Sequence, residues 1–360
     1  MSSLAGLLNE RIRATGPITV ADYMAEALGH PVHGFYRRKN PLGAAGDFIT
    51  APEISQMFGE IVGAWCVAVW RMMGSPKRFS LVELGPGRGT LMADLLRAAR
   101  LVPEFGKAAR PHLVETSPTL RNAQKAALAG MRMRWHDAFS EVPRGPLILV
   151  ANEFFDALPI RQFIRTDGKW RERLVDAAED GSFRFVLGPA IEPPALPPAM
   201  RGAGNGAIAE TCPAGIALAA EIGQRLAAEH GAALLIDYGP ARSAPGDSLQ
   251  AVRRHRYHPV LESPGTADLT AHVDFETLAQ AAAPAAAQGP APQGLWLRRL
   301  GIELRAAALA RSNPAKAGEV AQACRRLIDD AEMGTLFKVL ALTDTGLPTL
   351  PGFADAQGSR

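Results

Sequence analysis

Cysteine is scarce in this chain, with Cys66, Cys212 and Cys324 as the whole complement. They stand far apart and none falls at metal-ligand spacing. That excludes a disulfide framework and a thiolate metal site, and it suits a reducing compartment. Long apolar runs are missing too. None reaches the roughly 18 residues needed to cross a bilayer, so no membrane insertion is expected. An excess of one charge is also lacking: 39 Lys and Arg against 36 Asp and Glu leave a net +3, too little to argue for nucleic acid or a membrane surface as partner. The clusters Arg253-Arg254-His255-Arg256 and Arg298-Arg299 read as solvated faces. Residues 1–12 form a mild amphipathic helix containing Glu10, without an apolar signal core or the acid-free, Arg-rich pattern of a transit peptide. A cytoplasmic protein is expected.

What is present is an ordinary globular balance, 47% hydrophobic and 21% charged over 360 residues. That length suits one large α/β domain with additions, or two lobes. Glycine is plentiful, and its arrangement is informative in residues 79–90, Phe-Ser-Leu-Val-Glu-Leu-Gly-Pro-Gly-Arg-Gly-Thr. Leu81 and Val82 start a buried strand, Glu83 places a carboxylate near its end, and Gly85, Gly87 and Gly89 alternate through a turn before a helical run begins at Leu91. A strand, a glycine turn and a helix N-terminus let backbone approach a nucleotide-like ligand closely. Dinucleotide folds prefer Gly-x-Gly-x-x-Gly for a pyrophosphate. Gly-x-Gly-x-Gly behind a Glu suits a ligand with a cationic amino-acid end, and S-adenosylmethionine is such a ligand.

Strand and helix then alternate to about residue 150, which predicts a parallel sheet with right-handed crossovers. Glu83, Glu115, Asp137, Glu153 and Asp237 all fall at or just past predicted strand ends, where doubly wound sheets bind their ligands. By strand order, Glu83 meets the ligand's ammonium and Glu115 the ribose hydroxyls. Asp137 and the Ala138 amide face the adenine. Residues 101–110 read as a loop and 161–187 as antiparallel strands with polar turns. The fold resumes at Ala232-Ala233-Leu234-Leu235-Ile236-Asp237, and the tail beyond residue 300 reads as helical. A second site follows the fourth strand at Asn152-Glu153-Phe154-Phe155-Asp156. The two Phe rings can wall a sulfonium, and Glu153 and Asp156 can hold a guanidinium, whose planar donors suit carboxylates. Methyl transfer needs proximity and charge placement more than a metal or a covalent nucleophile. No metal is expected. Asp268 and His272 are candidates for a base relay, although Asp268 also fits a helix cap.

Four separated blocks carry a family resemblance: residues 46–60, beginning Gly46-Asp47-Phe48-Ile49-Thr50-Ala51-Pro52-Glu53, then 83–90, 152–159 and 265–275. Together the chain resembles the MidA family of methyltransferases, whose mitochondrial members are complex I assembly factors. The resemblance implies a seven-stranded, Rossmann-like fold dependent on S-adenosyl-L-methionine. It implies a donor site at Glu83, Gly85, Gly87, Gly89, Glu115 and Asp137. For the mitochondrial branch it implies symmetric dimethylation of arginine in a complex I subunit, hence a protein substrate. The domain organisation expected is an N-terminal helical lid region over 1–78, a methyltransferase domain over 79–300 with an insertion at about 160–213, and a helical tail over 301–360. The lid would bring Asp47, Phe48 and Thr50 near the reaction centre. Asn152, Glu153 and Asp156 would serve catalysis. An assembly chaperone on a methyltransferase scaffold, or a small-molecule methyltransferase, are the competing readings.

Overall fold

The computed structural model describes residues 3–37, 50–192, 196–200 and 202–353. The chain divides into two bodies, each assembled from three stretches of sequence. One takes in Ile49–Phe154, Ala219–Ala241 and Leu278–Arg360, the other Met1–Phe48, Phe155–Leu218 and Arg242–Thr277.

The first of these is built on seven strands: β1 (Phe79–Leu84), β2 (Ala109–Val114), β3 (Arg134–His136), β4 (Leu147–Asn152), β5 (Gly231–Tyr238), β6 (Ala286–Pro292) and β7 (Phe337–Thr343). Their order is β6-β7-β5-β4-β1-β2-β3. The pairs from β5 to β3 are parallel, whereas β7 lies antiparallel to both β5 and β6. β1, β4 and β5 are buried along their whole length, as strands of a parallel sheet covered on both faces must be. Strand order reverses between β1 and β4, and the crevice at such a switch point is where this architecture receives ligands. The turn after β1 and the residues ending β4 therefore share that position.

Three helices matter for the site: α1 (Gln56–Met72), α2 (Thr90–Ala99) and α3 (Pro118–Ala127). α1 packs its apolar stripe, including Phe58, Val62 and Trp65, into the sheet core. The helix expected to start at Thr50 is broken. Ala51–Ile54 is a single turn, Thr50 gives it no side-chain cap, and Ser55 in extended conformation starts α1 by accepting the Met57 N–H. Residues 101–110 are not merely a loop, since Pro103–Ala108 is helical, with Pro103 in its first turn. The tail is helical through Met333–Leu336 and then supplies β7. The run Val339-Leu340-Ala341-Leu342 is apolar on both faces because both are covered, and a run without period does not distinguish strand from helix.

The other body has its own core around Leu8, Tyr23, Met24, Phe35 and Val175. Thr19 and Asp22 form a true capping box at the start of Val20–Gly29, with Asp in the place usually taken by Glu. Residues 161–211 form antiparallel strands, as their polar turns imply: Lys169–Ala177 lies between Arg161–Thr166 and Phe183–Ile191, and Ile208–Thr211 extends the sheet. A small sheet joins Gln250–Arg253 to Arg256–His258 and Asp268–Thr270. Among the described residues no helix is long and apolar enough to cross a membrane.

Candidate active site

The turn after β1 holds Gly85, Gly87 and Gly89 at φ of 58°, 52° and 87°, the left-handed region that side chains resist. At Gly85 a Cβ would also come within 2.6 Å of the Phe154 ring. The turn thus needs glycine for conformation and for closeness. Gly89 leads directly into α2. Beneath α2, Glu83 is 4% exposed and accepts the Met92 backbone N–H. Among the described residues its Oε2 has no hydrogen-bond partner. Burial pushes this carboxyl up to about 8, only partly opposed by the Met92 bond.

Glu115, just past β2, is also buried but better held. Its Oε1 accepts the Ser117 N–H at 2.7 Å, and its Oε2 accepts from Gln124 at 3.3 Å. Burial raises its pKa while these donors favour the charged form. An ionised carboxylate in this setting keeps lone pairs for a vicinal diol. Asp137 and Ala138, by contrast, are exposed. Arg121 holds Asp137 at 2.8 Å and also donates to the Glu115 carbonyl, so one guanidinium ties the ends of β2 and β3. Between those strands His112 is buried and hydrogen-bonded to His136 at 2.8 Å. Burial first, then the neighbouring His136, lowers His112 to about 4, keeping it neutral.

At the end of β4, Asn152 is buried and donates to Glu153 Oε1 at 3.0 Å, leaving its own Oδ1 without a partner. Glu153 sits at φ 50°, a costly conformation outside glycine. Its Oε1 also accepts the Ala51 N–H at 2.8 Å, and its own N–H bonds the Ile236 carbonyl. Asp237 receives the Phe154 N–H at 3.1 Å, which explains the acid ending β5. The Thr50 segment is fastened a second time, by Glu53 to Arg88 of the glycine turn at 3.5 Å. Asp47 and Phe48 lie outside the described residues.

The chain passes from one body to the other between Phe154 and Phe155. Phe154 is the aromatic seated against the glycine turn. Phe155 is buried beside Gly215 in the other body, a core position. There the Asp156 carbonyl accepts the Ala271 N–H at 2.9 Å, linking the Asn152 block to the end of the Asp268 strand. Asp268 caps no helix. It lies buried in the strand Asp268–Thr270 and receives the Tyr36 hydroxyl at 2.9 Å. His272 is exposed, and its backbone N–H donates to Ser248.

Sequence reasoning missed Gln124, Arg121, Arg88 and Tyr36. Gln124 alone carried a signal. It occupies the apolar stripe Leu120-Gln124-Leu128, where an amide must be there for its bonds.

The residues present fit S-adenosylmethionine. Two buried oxygens that lack donors among the described residues, Glu83 Oε2 and Asn152 Oδ1, lie at or next to the ends of the strands flanking the switch point and suit a donor-rich cationic end. The glycine turn clears space beside them, and Glu115 suits a ribose. Among the described residues no cluster of His, Cys, Asp or Glu has the makings of a metal site.

Comparison with known proteins agrees. The family model for S-adenosyl-L-methionine-dependent methyltransferases matches residues 61–291. The "Protein arginine methyltransferase NDUFAF7 homolog, mitochondrial" of Drosophila melanogaster is 38% identical, over 94% of this chain and 84% of its own length. The human "Protein arginine methyltransferase NDUFAF7, mitochondrial" is 37% identical, over 92% of this chain and 81% of its own. The crystal structure of a Burkholderia thailandensis protein bound to S-adenosyl-homocysteine superposes with a TM-score of 0.85 at 30% identity, covering 99% of this chain and 95% of the other. The expected cytoplasmic location is overturned by these relatives, which are mitochondrial proteins.

Proposed function

We propose, from the premise that this chain belongs to the S-adenosyl-L-methionine-dependent methyltransferase family, that it methylates an ω-nitrogen of arginine in a protein, yielding symmetric dimethylarginine. The observation that carries this reading is a glycine turn flanked by buried acids, of the kind a methyl donor needs, in a chain whose relatives named protein arginine methyltransferases align over more than nine-tenths of it. The donor supplies an electrophilic methyl group on a sulfonium. Transfer breaks the methyl carbon–sulfur bond, forms a carbon–nitrogen bond and releases a proton from the guanidinium.

This chain's residues bind, orient and accept. Glu83 holds the ammonium end, Glu115 the ribose hydroxyls, and the exposed strand end at Asp137 and Ala138 the adenine. Phe154 lies against the turn that receives the sulfonium, where an aromatic face favours the cation. Glu153, at the end of β4, is the carboxylate assigned to grip a guanidinium and take its proton, and in the other body Asp156 and Asp268, which receives the Tyr36 hydroxyl, are the further candidate acids. Glu153's left-handed backbone, bonded through its N–H to the Ile236 carbonyl, and its Oε1, held by the Ala51 N–H and the Asn152 amide, fix that carboxylate at the end of β4. A complex I subunit is the acceptor this reading favours, and the respiratory chain's assembly the process it serves.

The test is quantitative mass spectrometry of arginine methylation in cells with and without the gene, followed by methylation of the candidate subunit by purified protein. Loss of one dimethylarginine on a complex I subunit, restored by wild type and not by Glu153→Gln, is expected. An unchanged methyl-arginine profile would sink the reading and favour a partner-binding role.

A further inference from the structure

Gln124 is fully buried on α3, at a position where helical spacing calls for leucine. Its amide meets three partners from three segments. Nε2 donates to the Gly87 carbonyl at 2.8 Å and to Glu115 Oε2 at 3.3 Å, and Oε1 accepts the Trp135 indole N–H at 2.8 Å. An indole N–H only donates, and a peptide carbonyl only accepts. The amide can therefore face one way. Turned over, it would set oxygen against the Gly87 carbonyl and the Glu115 carboxylate, and NH₂ against the indole. Trp135, Gly87 and Glu115 thus fix the direction of the amide together.

We propose that Gln124 is a positioning residue of the methyl-donor site, coupling the glycine turn at Gly87 to the ribose acid Glu115 so that the two ends of the donor are recognised as a unit. The inference rests on the reading of Glu115 as the ribose acceptor. Burial works against Glu115's charge, and the Gln124 donor works for it. The same amide holds the Gly87 carbonyl in the left-handed turn. A leucine at this position would fill the same stripe but do neither, and it would leave the Gly87 carbonyl and the Trp135 N–H unpaired.

The test is calorimetric binding of S-adenosylhomocysteine to Gln124→Met, Glu115→Ala and the double variant. Gln124→Met should weaken binding about thirtyfold, through lost charge-assisted and carbonyl bonds. In the Glu115→Ala background it should weaken binding less than about threefold, the non-additivity expected of coupled groups. Equal losses in both backgrounds would make Gln124 a packing residue and overturn the inference while Glu115's role stands. Wild-type affinity in Glu115→Ala would overturn the ribose assignment and the inference with it. Because Gln124→Met leaves the Trp135 N–H unpaired and can unfold the protein, Trp135→Phe is measured beside it. With one of the amide's three anchors gone, affinity should fall about fivefold, and the unpaired Gln124 oxygen should lower the melting temperature without unfolding the protein. Undiminished affinity in Trp135→Phe would also overturn the proposal.

Discussion

Around Glu115, the proposed ribose acid, Ser117, Arg121 and Gln124 all lie within nine residues; Ser117 and Gln124 bond its carboxylate and Arg121 its carbonyl. Among the residues proposed for the acceptor, Tyr36 meets Asp268 across 232 residues of sequence in one body, and Ala51 meets Glu153 across 102 in the other. The first arrangement needs little more than a strand end and the helix after it. The second exists only when distant segments have already folded. Donor recognition should then respond to local changes with the fold intact, whereas acceptor chemistry should be sensitive to any change that loosens a long-range bond.

The largest expected effect breaks the donor side alone. Gly87→Val forces a β-branched residue into the left-handed region, at a local cost of about 1–3 kcal/mol that the half-buried turn can relieve only by moving. Affinity for S-adenosylhomocysteine should fall at least about a hundredfold while circular dichroism and melting stay near wild type. A variant that binds normally would show that the turn is not the cradle.

A smaller effect isolates the acceptor side. Asp268→Asn keeps an acceptor for the Tyr36 hydroxyl and removes the charge. Methylation kcat/KM should drop about tenfold or more with donor affinity within about twofold. If kcat/KM is unchanged, Asp268 belongs to structure and not to the acceptor.

The smallest effect sharpens the contrast between the two donor acids. Glu83, unlike Glu115, has an oxygen without a donor, and burial raises it to about 8. The folded state therefore prefers it protonated. This contribution to stability is complete below the ordinary carboxylate range and fades as pH rises toward 8. A cationic ligand end needs the ionised form, so donor-site affinity should rise about fivefold between pH 7 and 8 with release of a proton. Calorimetry in buffers of different ionisation enthalpy measures that proton. Glu83→Gln should flatten the profile, and a flat wild-type profile would remove Glu83 from the ammonium.

Much of the donor half was readable from residues alone because its signals are local. A buried strand needs an unbroken apolar run, a left-handed turn needs glycine, and a helix start needs a cap such as Ser117. The antiparallel insertion was readable from its polar turns for the same reason. β7 was not, because its covered run has no period, and neither was the break at Ser55, because a capping box and an apolar stripe predict one continuous helix. Asp268 shows the limit most clearly. Its neighbours suit a helix cap, yet the strand Gln250–Arg253 and Tyr36 claim it for a sheet.

By itself the sequence determined the alternating strands and helices, the glycine turn with its acid, and the family to which the chain belongs, since each is written in neighbouring residues whose spacing obeys backbone geometry. Only the tertiary structure decided that the tail supplies the antiparallel strand between β5 and β6, that Gln124 faces Gly87, Glu115 and Trp135 at once, and that Glu83 is buried with an oxygen unpaired. Those outcomes depend on which groups packing brings together and which it deprives of water, and no window of sequence contains either.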